Sequence, residues 1–233
     1  MRIELLNVKR VYNDKTVLDI DSLVLEKGKI YAVLGPNGSG KTTMLRIISG
    51  IERVISGYVY YNGVDKPQGD DIAYLPQNIY MFDMTVLENV MLGINNRGIS
   101  SSDARNHAKH ALNCIGMDDF LNSKARSLSG GEAQRAALAR TLVLGKGLVL
   151  LDEPASATDI SGVELVERYI KSVNEKDGST IVFTTHNPSQ AARIANEVIM
   201  IFNGKIVEKG NPSCIFNSPQ RQETRDFIKS WRI

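Results

Sequence analysis

The 233-residue sequence lacks any apolar run long enough to cross a membrane. A spanning helix needs roughly 20 mostly apolar residues, whereas the apolar stretches here are short, as at Leu148–Leu151 and Val198–Phe202. The opening MRIELLNVKR has neither an apolar core of signal-peptide length nor a small-residue cleavage site. Any membrane role is therefore expected to come through another chain. Cysteine is scarce. Cys114 and Cys214 stand in unrelated contexts with no CxxC or Cys/His spacing, which argues against a disulfide framework or zinc site and fits a reducing compartment. A charge excess is missing too: 28 Lys plus Arg against 26 Asp plus Glu leave +2, so there is no polybasic nucleic-acid arm and no acidic tail. There is no internal repeat and no low-complexity segment. What remains is a globular composition, 42% hydrophobic and 23% charged, with enough chain to bury a real core.

Periodicity divides the chain. Ile3, Leu5 and the run Val17–Leu25 read as strands, Lys27-Gly28-Lys29 as a turn, and Ile30–Leu34 as a short apolar strand. A glycine-rich loop at 35–40 leads into Thr42–Ser49, where Met44, Leu45, Ile47 and Ile48 predict a helix. Residues 57–63 read as a strand entering an Asn-Gly turn. Residues 85–144 are poor in strand signals and predict a mostly helical region, with loops near 93–103 and 116–130. Short apolar strands at 148–151, 180–184 and 198–202 alternate with helical stretches near 161–176 and 188–196, the pattern of an α/β core with a parallel sheet. The polar segment 211–233 spaces Phe216, Phe227 and Trp231 as a small amphipathic cap.

Three stretches carry chemistry. Gly35, Pro36, Asn37, Gly38, Ser39, Gly40, Lys41 and Thr42 fit G-x-x-x-x-G-K-[ST] between a predicted strand and a predicted helix. Glycines let the backbone curl so that successive N–H groups face phosphate oxygens, and the helix start adds its positive dipole end. Lys41 would neutralise β- and γ-phosphates, the Thr42 hydroxyl would ligate Mg²⁺, and Thr43 would complete the nucleotide-binding run. Second, Leu148–Leu151 is an apolar strand ending in Asp152 and Glu153. A buried parallel strand delivers such groups beside the phosphate loop. Asp152 would hold Mg²⁺, and Glu153 would accept a hydrogen bond from an attacking water as general base. Third, Ser129, Gly130 and Gly131 precede the Ala-rich helical run Glu132–Leu144 and offer a second anion-binding helix start.

A phosphate loop, then Leu128-Ser-Gly-Gly-Glu-Ala-Gln-Arg135, then an Asp-Glu strand resembles the ATP-binding-cassette (ABC) ATPase family, over about Ile3 to Gly210. The resemblance implies a RecA-like P-loop NTPase core of mainly parallel sheet, an antiparallel β part at the start and an inserted helical subdomain. A single cassette then divides approximately into 1–75, 79–144, 145–210 and a cap at 211–233. It also implies ATP and Mg²⁺ as ligands, and two cassettes paired head to tail, each nucleotide lying between one phosphate loop and the other copy's Ser129-Gly130-Gly131. Residue by residue, Tyr12 resembles the aromatic that stacks on adenine. Gln77, in Tyr-Leu-Pro-Gln, matches the glutamine that reaches metal and attacking water. His186 matches the histidine that contacts the γ-phosphate, and Pro154–Asp159 matches the loop that crosses to the other copy. Ala155, Thr158 and Asn187 depart from the commonest pattern, and none removes a group needed for chemistry.

The family expectation is the ATPase subunit of a membrane transporter, cytoplasmic and peripheral on the inner face through a separate membrane-spanning permease. That permease would dock beside Asn78–Asn89, with Tyr80, Met81 and Phe82 as an anchor pocket, and an importer would involve a solute-binding protein indirectly. Ala125-Arg126, the run from Thr185 to Ala195 and Ile215–Pro219 resemble tungstate- and molybdate-type importers, and the Thr-His-Asn feature is shared with phosphate-importer ATPases. An exporter ATPase and a soluble ABC protein acting on DNA or the ribosome are the alternatives. The near-neutral charge speaks against a nucleic-acid partner.

Overall fold

The computed structural model describes residues 1–65, 71–94 and 98–231. Two sheets form it. The first is antiparallel, ordered β2-β1-β4, from β1 (Ile3–Tyr12), β2 (Lys15–Leu25) and β4 (Ser56–Tyr61). The second has six strands in the order β5-β6-β7-β3-β8-β9: β3 (Ile30–Leu34), β5 (Ile72–Leu75), β6 (Leu148–Asp152), β7 (Thr180–Thr184), β8 (Glu197–Phe202) and β9 (Lys205–Gly210). All its pairings are parallel except β8 with β9.

The apolar runs of β3, β6 and β7 are continuous because both faces of the large sheet are covered. Side chains of β3 alternate between two cores. Ile30, Ala32 and Leu34 join the core made with α2 (Val86–Met91), α3 (Ser101–Cys114), α4 (Gly130–Leu142), α5 (Ile160–Asp177) and α6 (Pro188–Ile194). Tyr31 and Val33 join the opposite core, under α1 (Lys41–Ile48) and the antiparallel sheet. The helices of the 85–144 region start on their own side chains. Thr85 with Glu88, and Ser129 with Glu132, each form a reciprocal capping box.

The expected elements are present with shifted ends. α4 begins at Gly130, two residues before the expected Glu132, because Ser129 is its cap. The expected loop at 93–103 gives way to α3 at Ser101, and its residues 95–97 lie outside the described residues. The second expected loop, 116–130, contains two short 3₁₀ turns, Asp118–Phe120 and Ala125–Ser127. Two strands are additions: β5 is only four residues long, and β9 is a charged edge strand with little apolar pattern. In the tail, α7 (Pro212–Asn217) and α8 (Gln222–Lys229) form the cap. Phe216 and Phe227 pack on the core as expected, whereas Trp231 stays 43% exposed beyond it.

Candidate functional site

The carboxyl ends of β3, β6 and β7 lie side by side, and each delivers one part of the site. After β3 the chain curls through residues 35–40 into α1. Gly35 has φ 154°, and a Cβ there would lie 2.0 Å from the Ile201 carbonyl oxygen, so only glycine lets the loop pass the sheet. The Lys41 amine is buried, and Nζ donates to the Gly35 and Pro36 carbonyls at 2.8 and 3.0 Å. Burial pushes its pKa below the usual lysine value, against the opposing pull of Glu153 and Asp152.

β6 ends on Asp152 and Glu153, both buried. Asp152 is paired in register with Thr184 of β7, whose hydroxyl donates to Asp152 Oδ1 at 2.6 Å. The same Thr184 Oγ1 accepts from the Glu153 N–H at 2.9 Å. Asp152 Oδ2 is buried with no hydrogen-bond partner among the described residues. A carboxylate oxygen left bare in the interior is costly. It belongs to a residue lining the same cavity as Thr42 and Gln77, so the all-oxygen donor set fits a hard divalent cation such as Mg²⁺. Glu153 adopts φ 54°, a backbone conformation uncommon for a non-glycine residue and often found at functional sites. His186, just past β7, donates from Nδ1 to Glu153 Oε2 at 3.0 Å. That holds one carboxylate oxygen and leaves Oε1 to meet a water.

The resulting cavity of about 300 Å³ is lined by Asn37, Gly38, Gly40, Lys41, Thr42, Thr43, Gln77, Asp152, Glu153 and the unanticipated Val17. Val17 sits on β2 and lends the cavity an apolar wall; no chemistry-bearing side chain marks it in the sequence. Tyr12 does not line this cavity. It stands 36% exposed near the end of β1, with the Arg10 guanidinium 4.5 Å over its ring and its hydroxyl donating to Glu52. One ring face is thus already covered. Ser129, Gly130 and Gly131 do not line it either; Ser129 and Gly130 are exposed to solvent. One chain therefore brings together the phosphate loop, the carboxylates, Gln77 and His186, but not the second helix start.

Gln134 lies within the Leu128–Arg135 run that carries the family resemblance, but the sequence reading gives it no role of its own. It is buried and bridges α4 to the end of β6. Nε2 donates to the Glu153 carbonyl at 2.7 Å, and Oε1 accepts from the Ala157 N–H at 2.7 Å. Gly131 closes the same junction, since a Cβ there would lie 2.8 Å from the Ala157 carbonyl oxygen. The departures are accommodated locally: Thr158 donates to the Ala155 carbonyl at 2.8 Å, and Asn187 caps α6 by accepting from Ser189 N–H at 2.9 Å. Asp159 caps α5, accepting from Gly162 N–H at 2.9 Å, and that bond first, then one from Ser161, lowers its pKa.

Beside the 79–92 segment lies a groove of about 490 Å³ lined by Leu75, Phe82, Met84, Leu92, Arg140 and Leu144, among others. Of the three residues expected to form an anchor pocket, Phe82 lines it. Tyr80 meets Phe82 edge-on at 5.2 Å, and Met81 packs into the core. Buried Asn89 shapes this turn, accepting from Phe82 N–H at 2.9 Å and donating to the Phe82 carbonyl at 3.1 Å.

A phosphate loop at the carboxyl edge of a mostly parallel sheet, faced by a bare carboxylate and a histidine-held glutamate, defines a nucleotide-hydrolysing P-loop cassette. The ABC transporter family model matches residues 18–156, and the chain belongs to that family of ATP-hydrolysing subunits, which bind ATP with Mg²⁺. It is 37% identical over 209 residues to the tungstate uptake system ATP-binding protein TupC of Peptoclostridium acidaminophilum, covering 89% of this chain and 98% of that one. It is 33% identical to the methionine import ATP-binding protein MetN 1 of Oceanobacillus iheyensis, over 97% of this chain and 71% of that one. Among solved structures, the dimeric post-hydrolysis state of the cassette MJ0796 bound to ADP and Pi aligns with TM-score 0.82 and 30% identity, over 90% of this chain and 98% of that one. Among the described residues no helix is long and apolar enough to cross a membrane.

Proposed function

We propose that this chain is the ATP-hydrolysing subunit of a membrane importer for an oxyanion of the tungstate and molybdate class. The observation that carries the reading is the tungstate-uptake relative, which aligns over 98% of its own length. The methionine-import relative aligns over 97% of this chain, so the cassette alone is a weak reader of cargo and the substrate is tested on the partner proteins.

In this reading, backbone N–H groups of residues 35–40 and the Lys41 amine bind the phosphates of ATP. Lys41 exchanges its two carbonyl acceptors for phosphate oxygens, a stronger partner for a buried cation. Mg²⁺ would be held by the Thr42 hydroxyl, Asp152 and Gln77, and supplies neutralisation of the charge on the β- and γ-oxygens. Glu153 Oε1 accepts the hydrogen bond of the attacking water while His186 fixes the other oxygen and stands ready for the γ-phosphate. Tyr12 stacks on the base with the ring face that Arg10 does not cover. Exposed Ser129 and Gly130 serve the nucleotide of a second copy, so ATP joins two cassettes head to tail and hydrolysis releases them. The groove by Phe82 takes a short helix of the permease, which converts closure into transport because its contacts differ between the two states. The chain then lies on the inner face of the membrane through that permease, with the solute-binding protein reached only through it.

The test is affinity purification from native membranes in mild detergent, with mass spectrometry of what accompanies the chain. A multi-spanning permease together with a solute-binding protein that takes up tungstate in calorimetry is the expected result. A binding protein that takes methionine or sulfate and ignores tungstate refutes the cargo. Ribosomal or DNA-associated partners without a membrane protein refute the transporter.

A further inference from the structure

The tail beyond the core points at the site. α8 is anchored by two neighbours on its apolar side: Ile228 is 6% exposed, and Phe227 meets Phe202 of β8 edge-on at 6.1 Å. Its start is fixed by Glu208 of β9, whose carboxylate accepts from the N–H groups of Gln220 and Arg221 at 2.9 and 3.3 Å. Trp231 lies four residues past Phe227 and three past Ile228, spacings that share a helical face. A last turn keeps it there, with Trp231 N–H donating to the Ile228 carbonyl at 3.0 Å. The apolar stripe therefore continues past the core, and its final ring meets His186, centroid to centroid 5.7 Å at 36°. That distance is within the range of a true aromatic pair.

We propose that Trp231 is a positioning residue for His186: its indole braces one side of the imidazole while Glu153 holds Nδ1. The inference rests on the proposed role of His186 at the γ-phosphate. The imidazole needs such a brace. The His186 side chain is 52% exposed, and among the described residues its ring is held by the one bond to Glu153. A half-exposed ring on a single hydrogen bond samples several rotamers, and catalytic alignment is sensitive to small misplacement. Trp231 acts through His186 and does not line the phosphate-loop cavity, so its removal should slow turnover and spare ATP binding.

The sequence contains a single tryptophan, so its emission reports this one contact. The experiment compares wild type, Trp231→Ala, Trp231→Phe and His186→Ala by ATPase kinetics and by intrinsic fluorescence. Expected for Trp231→Ala is a kcat lower by about 3- to 10-fold, the worth of one aromatic pair, with KM for ATP unchanged. Trp231→Phe should restore most of the loss. In the nucleotide-free chain, His186→Ala should shift the tryptophan emission, a readout that needs no turnover. A Trp231→Ala enzyme with wild-type kcat, or one losing kcat, ATP affinity and melting temperature together, overturns the proposal. So does an emission spectrum indifferent to His186→Ala. Full turnover by His186→Ala would instead sink the role assigned to the histidine itself.

Discussion

Gln134 offers a measurable link between α4 and Glu153, the proposed general base. Gln134→Met keeps the side-chain volume and removes the amide. Two short bonds go, to the Glu153 carbonyl and from the Ala157 N–H, both 2.7 Å, along with a longer one to Ser156 Oγ at 3.2 Å. The Glu153 carbonyl keeps the Ser156 hydroxyl at 3.2 Å, and exposed Ala157 can hydrate its freed N–H, so no group is left stranded in the interior. The cost is therefore about 1 kcal/mol for each of the two short bonds, about 2 kcal/mol in all, without the added desolvation penalty. For a chain of this size that lowers the melting temperature by about 4–8 °C. The functional effect should be larger than the stability effect suggests. Glu153 is held at φ 54° by its N–H bond to Thr184 and its carbonyl bond to Gln134, so loosening one end lets the backbone relax and misdirects the carboxylate. Differential scanning fluorimetry and steady-state kinetics should show the lower melting point and a reduced kcat, with ATP affinity retained, because Gln134 does not line the phosphate cavity. A loss of stability under about 0.5 kcal/mol, or an unchanged kcat, refutes the reasoning.

Lys41→Ala should weaken ATP binding by about 100-fold, the loss of about 2.7 kcal/mol of charge-assisted contact, measured with a fluorescent ATP analogue. Thr184→Val removes the hydroxyl shared by Asp152 and Glu153 and should cost about 2 kcal/mol of stability and about tenfold in kcat, read by urea melts and kinetics. The Ser129 hydroxyl first, then its N–H, holds the Glu132 carboxylate below its usual range. A depressed carboxylate contributes stability fully above its unfolded value of about 4.3 and loses it as pH falls through the lower folded value. The melting difference between wild type and Glu132→Gln should therefore be constant near neutrality and narrow below about pH 4.

Contiguous features are legible in the amino-acid order alone. A phosphate loop is one stretch, so its strand, glycines, Lys41 and Thr42 announce themselves together. The apolar strand ending at Asp152 and Glu153 does the same. The uninterrupted apolar runs of β3, β6 and β7 imply a sheet covered on both faces. The illegible parts are those made by distance along the chain. Gln134 reaches Ala157 and Glu153 across 23 and 19 residues, and Thr184 meets Asp152 across 32. Nothing local distinguishes a bridging glutamine from a solvated one. β9 pairs by backbone while showing charged side chains, so periodicity passes it over. Trp231 has the right apolar spacing for a cap, but whether that spacing ends in the core or beyond it depends on where α8 docks.

In the proposed mechanism one chain holds half a site, and ATP completes it with a second copy. Glu153→Gln separates binding from hydrolysis, because it keeps the binding groups and removes the proposed base. With Mg²⁺ and ATP, that variant measured by size-exclusion chromatography with light scattering should run as a dimer carrying two ATP, and revert to monomer when nucleotide is withdrawn. A variant that binds ATP fully and remains monomeric at every concentration contradicts the account.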